Sequence, residues 1–437
     1  MPVNDPRIIR AWTFYDWANS VYSLVIVSSI FPVYYQEVTT AADGSQQVDF
    51  LGFSLSNSVL LSYAISFSYV VVTPLLPVLS GIADYTGNKK AFMRFFAYLG
   101  GTACAGLYFF EASTLVWGIA CVVMASIGYS GSVVFYDAYL PEIASKDRAD
   151  AVSARGYIMG YLGSVILMVV SLVLITFPEA FGFSGAGAAV RTVFLLVGVW
   201  WIGFAQIPLR ILPVGDRSNR VQGHILLSGY RELMKVWRRI RTMPDLQWYL
   251  LAYFFFNMGV QTVMYLAATF GSKELALPGP KLIATVLLIQ LVGAAGARVF
   301  SGVSGRIGNK ATLSYMISFW ILICLTAYFV VHEYQFYALA VAVGMVMGGI
   351  QSLSRATYAK LIPSDTEDYA SFFSFFDVVF NLSIVLGTFS YGLVEQVTGS
   401  MRNSTLVLMV FFVAGLLVLR RVNLPRPADL APSTAGA

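Results

Sequence analysis

The chain has 437 residues, of which 57% are hydrophobic and 12% charged, with a formal net charge of +5 and a mean hydropathy of +0.71. Soluble domains carry roughly twice that share of charge, so the polar surface of a soluble enzyme or binding module is missing. The basic balance then reports how the chain lies across a membrane, and no nucleic-acid partner is expected.

Apolar stretches of about 20 residues are what a bilayer core of about 30 Å requires. Twelve begin near Trp12, Asn57, Ala91, Leu115, Arg155, Arg191, Leu246, Lys281, Ala311, Gln335, Tyr369 and Asn403. A backbone in lipid must satisfy its own hydrogen bonds, and no alternating barrel pattern is present, so every stretch is predicted helical. The expected fold is an all-α integral membrane protein with twelve transmembrane helices in two six-helix halves, residues 1–213 and 246–421. A basic linker, 214–245, joins the halves, and a tail rich in Pro and Ala, 422–437, reads as disordered. The first apolar run is too long for a cleavable signal and contains Asp16, Trp17 and Asn19, so it is expected to remain as a span.

Basic residues resist transfer across a membrane. Only Arg191, Lys273, Lys281 and Arg402 fall on one side of these spans, and the first loop there carries Glu37, Asp43 and Asp49. Both termini are therefore predicted cytoplasmic. In the linker, Arg217, Arg220, Arg231, Lys235, Arg238, Arg239 and Arg241 alternate with Ile225, Leu226, Leu227, Tyr230, Leu233, Met234 and Trp237 at helical spacing. That pattern predicts an amphipathic helix against anionic lipid, with a solvated linker as the alternative. Cys104, Cys121 and Cys324 lie inside spans without metal spacing and read as packing residues.

The segment Ser80–Lys89 returns as Ser301–Lys310 with five of ten positions identical, and Pro141 has a counterpart in Pro363 at almost the same offset. Each copy of the segment turns on a glycine, Gly87 or Gly308, and delivers a lysine, Lys89 or Lys310, to the next span. Two related halves favour a transporter, because halves rocking about a central site give alternating access.

Three segments carry a family resemblance: Trp12–Ser20 with its Asp-Trp-Ala-Asn-Ser run, Ser80–Lys90, and Phe135–Ala144 followed by Arg155-Gly156-Tyr157. Together they resemble the major facilitator superfamily, and within it the prokaryotic family related to the fungal vacuolar amino-acid effluxers of autophagy. The resemblance implies a carrier of the prokaryotic inner membrane and suggests amino acids or short peptides as substrates. It also implies that Asp84 clasps the two halves in the outward-facing state, one-sidedly, since the second copy has Gly305 at that place. In Asn257–Thr262 the sequence departs from the family's pattern, with Met258 where an acid is expected.

A charged group at a helix centre costs roughly 2.5 to 3.5 kcal/mol, which makes Asp16, Asp137, Arg298, Arg355 and Asp377 the candidates for function. Asp16 lies about one turn, roughly 6 Å, inside span 1 and reads as a site residue, a gate or a cap. Asp137, close in sequence to Arg155, reads as half of a latch with it or as a substrate contact. Asp377, with Asn381 one turn further on the same face, reads as the carrier of a coupling proton or ion. The alternative is a permanent salt bridge from Asp377 to Arg355 or Arg298, either of which would also receive a substrate carboxylate in an open cavity. Asn19, Asn257, Gln261, Gln290, Gln351 and Asn381 supply donors and acceptors for a zwitterion or polyol. Tyr22, Tyr63, Tyr69, Tyr161 and Tyr265 are candidate cavity residues, and Pro74 with Pro77 should bend span 2.

The sequence has no phosphate-cradling G-x-x-x-x-G-K-[ST] loop, and His224 and His332 lie far apart, so neither an ATP-driven pump nor an enzyme is expected. No cofactor or metal is expected either. The reading is a monomeric secondary transporter for a small polar metabolite, coupled to protons or another ion and in contact with membrane lipids. A lipid or amphiphile carrier, a uniporter, and a channel or receptor are the alternatives.

Overall fold

The computed structural model describes residues 3–41, 45–214, 225–398 and 400–424. The expectations placed on Asp43, on Arg217, Arg220 and His224, and on the tail beyond residue 424 lie outside them.

Helices dominate. They are α1 (Pro6–Val21), α2 (Ile30–Thr39), α3 (Asn57–Thr86), α4 (Lys89–Gly106), α5 (Leu115–Asp137), a single turn α6 (Leu140–Ile143), α7 (Ala149–Thr176) and α8 (Ala186–Ile211). After the linker helix α9 (Ile225–Arg241) come α10 (Pro244–Leu275), α11 (Gly279–Ile307), α12 (Asn309–Tyr328), α13 (Glu333–Leu361), α14 (Tyr369–Thr398) and α15 (Met401–Leu419). Among the described residues eleven helical segments are long and apolar enough to cross a membrane. The segment counted as the third span, α4, is 18 residues long and falls outside that set, because its first turns hold Lys89, Lys90 and Arg94.

Two local features depart from an all-helical, evenly wound chain. Outside the spans, Gln47–Phe50 and Phe53–Ser56 pair as an antiparallel hairpin, turned by Leu51 and Gly52 with φ of 51° and 88°, the left-handed pair that a two-residue hairpin loop needs. Within span 1, a π-helical turn, Tyr22–Val27, separates α1 from α2. Such turns are rare, and when present they often mark functional positions. Pro74 and Pro77 sit inside α3, which continues through both to Thr86.

The chain forms two compact units. The first comprises Arg10–Tyr136 and Leu162–Tyr230; the second comprises Met1–Ile9, Asp137–Tyr161 and Arg231–Ala437. In the first unit, Trp12 stacks on Tyr136 at 4.4 Å between ring centroids and donates its indole N–H to the Tyr136 carbonyl at 2.9 Å. In the second, α11 and α13 cross with backbones nearly touching. A Cβ added at Gly348 would sit 1.9 Å from the Gly293 carbonyl oxygen, and one at Gly296 equally close to that of Met345. Small residues permit such crossings where lipid supplies no hydrophobic drive between helices.

Both copies of the repeated loop turn on a glycine and lie next to a lysine that caps another helix, Lys310 at the end of the second copy and Lys90 one residue past the end of the first. Gly87 takes a left-handed conformation with φ 62° to end α3, and Gly308 turns with φ 85° between α11 and α12. Beyond each turn a lysine reaches the C-terminal end of another helix. Lys90 Nζ donates to the carbonyls of Arg210 (3.3 Å) and Leu212 (2.5 Å) at the end of α8, and Lys310 Nζ to that of Arg420 (2.8 Å) at the end of α15. A cation at these orphan carbonyls satisfies them and complements the negative end of the helix dipole. Lys89 is buried beside Lys90, and Asp84 is half-buried in the last turn of α3.

Candidate functional site

In the second unit, α13 carries two buried cations, each met by an acid from the 137–161 segment. Arg355 donates from Nη1 to Asp137 Oδ1 (2.9 Å), from Nε to Ser153 Oγ (2.9 Å) and from Nη2 to the Ser153 carbonyl (3.0 Å). Its guanidinium also lies 4.4 Å from the centroid of the Tyr157 ring. Planar, multiply bonded guanidinium suits such a buried role better than a lysine would. One turn and a half further on, Lys360 Nζ meets Asp150 Oδ1 at 2.7 Å, with both side chains buried. Asp150 also accepts from Asn309 Nδ2 (2.9 Å) and Ser304 Oγ (2.8 Å), both in the second copy of the repeated loop.

This geometry corrects the latch expected from the sequence. Asp137 pairs with Arg355, and Arg155 is exposed. The two lie on nearby helical segments, but Arg155 points to the other side of α7 from Ser153, which faces Arg355. Arg298, expected to be buried, is exposed on α11. Neither arginine makes an ion pair with Asp377, which is part-exposed and accepts from Asn381 Nδ2 at 2.9 Å. Among the described residues Asp377 has no cationic partner. Tyr63 and Tyr265 are exposed.

The neutral candidates fall into ordered chains. Gln261 Nε2 donates to Asn257 Oδ1 (3.2 Å), Asn257 Nδ2 to Ser383 Oγ (2.5 Å), and Ser383 Oγ to the Phe380 carbonyl (2.7 Å), which ties α10 to α14. Tyr161 donates to Gln351 Oε1 at 2.6 Å. Gln290 Oε1 and Asn381 Oδ1 are buried and have no hydrogen-bond partner among the described residues. In the first unit, Asp16 accepts from Tyr136 OH at 2.7 Å, Tyr22 OH and Ser126 Oγ lie 2.8 Å apart, and Asn19 Nδ2 is buried with no partner among the described residues. Asp150 and Lys360 escaped the sequence reading because both fall at span ends, where charge is common. The Asp150 position, in the first turn of α7, was a usable signal, since an acid there faces a helix N-terminus.

Linker helix α9 docks on protein. Lys235 Nζ bridges Glu232 (2.6 Å) and Asp368 (3.0 Å), Arg239 pairs with Asp365 at 2.6 Å, and Trp237 stacks on Phe375. The lysine is held above its usual range because its two carboxylate partners outweigh its partial burial. Glu232 is raised as well, chiefly by burial, with Asp368 adding to it.

A bundle of long apolar helices, built twice over and holding isolated ion pairs and polar chains in its interior, is the architecture of a major facilitator transporter. The human organic anion transporter MFSD10 (TETRAN) has the same fold, with a TM-score of 0.74 at 12% identity over 96% of this chain and all of that one. The transporter FucP in its outward conformation gives 0.71 at 13% identity, covering 96% and 99%. The chain belongs to the family described as "vacuole effluxer Atg22 like", whose model matches residues 4–429. An uncharacterised MFS-type transporter of Bacillus subtilis strain 168, YxiO, is 31% identical over 424 residues, 97% of this chain and 96% of the relative. Autophagy-related protein 22 of Yarrowia lipolytica is 22% identical over 467 residues, 87% and 78% of the two chains. The chain is therefore a membrane transport protein.

Proposed function

We propose that the protein is a secondary active transporter that moves a small polar metabolite by alternating access, with Asp377 as the group that exchanges a coupling proton. The observation that carries this is the contrast in the second unit between the paired cations and Asp377. Arg355 and Lys360 are each matched to an acid, as a latch that opens and recloses must be. Asp377 has a neutral amide for its partner, so its charge is free to change. In this reading Asp137–Arg355 and Asp150–Lys360 hold the 137–161 segment to α13 in one state and part in the other. Asp84, Gly87, Lys89, Gly308 and Lys310 shape the hinged connections, and Asp16, Asn19 and Tyr22 supply first-unit contacts beside the π-helical turn. Twelve spans with both termini cytoplasmic, in a prokaryotic inner membrane, complete the proposal.

A thermal-shift screen of the purified protein against amino acids, short peptides, sugars and lipids supplies a ligand for transport. In proteoliposomes that ligand should show counterflow, which a channel does not give, and accumulation against its gradient when protons are supplied. Asp377→Asn should lose the accumulation. Equal uphill transport by the variant would remove Asp377 from coupling, and a lipid as the sole hit would replace the polar substrate.

A further inference from the structure

We infer that the second unit holds a binding site for an alkyl chain, separate from the polar groups assigned to transport and independent of that assignment. The site is a cavity of about 590 Å³, its open mouth included, to which each of α10 to α15 contributes. Asn257, Gln261, Gln290, Asp377 and Asn381 lie outside its wall. The wall is aliphatic and aromatic, with Leu266 and Phe270 from α10, Ile289 from α11, Ile323 from α12, Val343 from α13 and Leu408 from α15.

The few polar side chains in the wall are turned elsewhere. Tyr391 donates its hydroxyl to the Met401 carbonyl at 3.1 Å, and Thr405 Oγ1 donates to that of Arg402 at 2.7 Å. Thr262 Oγ1 has no hydrogen-bond partner among the described residues, and it sits against Gly387, where an added Cβ would lie 2.5 Å from it. Cys324 adds only a weak donor. A buried water needs about two to four polar partners, and apolar cavities that cannot supply them stay dry and take up guests such as benzene or xenon. An amino acid or a sugar is excluded for the same reason, because its polar groups would be buried unmatched. The helices of the wall are long and apolar enough to cross a membrane, and a bilayer is a reservoir of alkyl chains. The wall residues that keep part of their exposure are Val263, Leu266 and Ala267 on α10 and Leu339 on α13, so those two helices mark the mouth. Apolar atoms lining a void forfeit dispersion contacts on the open side, and a chain inserted between α10 and α13 would restore them.

The test uses the full chain in phospholipid nanodiscs with two photolabile probes: octanol carrying a diazirine, and a phospholipid with the diazirine at the end of one acyl chain. Mass spectrometry locates the labelled residues. The octanol probe should label Ile323, Cys324 or Leu408, and excess cyclohexane should reduce that labelling at least tenfold. Ala327→Leu and Ala340→Leu each place a larger side chain in the wall. Each should reduce wall labelling at least tenfold and leave labelling of the exposed Leu322 unchanged, with unfolding temperatures no lower than the parent's confirming that the variants fold. Wall labelling by the lipid probe as well would identify a bilayer chain as the occupant, and labelling by octanol alone a free alkyl compound; both uphold the site. Absence of wall label from both probes, undiminished labelling in either folded variant, or displacement by leucine as complete as by cyclohexane would each overturn it.

Discussion

Arg355 keeps its charge at 3% exposure because every face of the guanidinium is engaged: Asp137 on one edge, Ser153 through both hydroxyl and carbonyl on the other, and Tyr157 across the plane. Removing one partner of such a pair leaves a buried charge uncompensated and costs about 3–5 kcal/mol. Asp137→Asn should therefore lower the unfolding temperature markedly in detergent, and Asp137→Asn combined with Arg355→Gln should regain part of the loss. Arg155→Gln, at an exposed position, should stay within about 0.5 kcal/mol of the parent. A double variant no better than the sum of the singles would mean that the two residues act independently. The sequence made Asp137 and Arg355 conspicuous, since each is a charge within an apolar run. Their pairing was not legible, because the partners stand 218 positions apart and only tertiary structure decides which arginine reaches the acid. The same holds for Asn381: its spacing from Asp377 is helical and readable, whereas its orphaned oxygen follows from a hydrogen-bond direction that no spacing records.

At the scale of elements, long runs with a single dominant property were readable. The starts of α3, α5, α11 and α14 fall within a few residues of the hydropathy reading, because span length and apolarity are imposed by the bilayer itself. The π-helical turn in span 1 and the hairpin at 47–56 were not, since each depends on local geometry that apolarity does not encode. Helix contact distance was equally hidden. At the α11–α13 crossing, Gly348→Ala should force the backbones apart and cost about 1–3 kcal/mol, as overpacking does; Gly302→Ala, where an added Cβ meets nothing within 4 Å, is the matched control. Unfolding temperatures of the two variants check this, and equal values would show that the crossing has slack. Linker helix α9 offers a test of sign. Glu232 is held above the ordinary glutamate range chiefly by burial, so the docked helix binds its proton more tightly than the unfolded chain. That contribution is fully present below the unfolded pKa of about 4.3 and is lost as pH rises through the folded value. Glu232→Gln, which mimics the protonated form, should slow amide hydrogen exchange across residues 231–241 at pH 7 and flatten its change between pH 7 and pH 5. Faster exchange in the variant would mean that the bridge to Lys235 outweighs the desolvation.

Across the whole molecule, charge placement and duplication agree with one another. Each of the four basic residues assigned to the outer side has an acidic partner: Arg191 with Glu111, Lys273 with Glu395, Lys281 with Glu333 and Arg402 with Glu274. Lys and Arg near span ends set orientation, and these four are few beside the basic residues of the other side. A lysine just after the repeated turn caps a helix in each half, Lys90 on α8 and Lys310 on α15, although the repeat aligns Lys310 with Lys89, one residue earlier than the lysine that caps α8. The weakest step in the topology is α4, whose basic first turns set it apart from the eleven apolar helices. If α4 crosses, the hairpin tip at Leu51 and the short connection at Ala112 lie on one side of the membrane, and α9 lies on the other. If it does not, Leu51 and Ala112 are on opposite sides, and every later span is inverted relative to the first. Both sites are exposed, as is Arg238 on α9, and the native cysteines are buried and replaceable by alanine. Single cysteines at Leu51, Ala112 and Arg238, labelled by an impermeant maleimide in sealed right-side-out vesicles, should give reaction at the first two and none at the third until the vesicles are opened. Reaction at Leu51 with protection of Ala112 would reduce the count to eleven crossings and place the C-terminus outside.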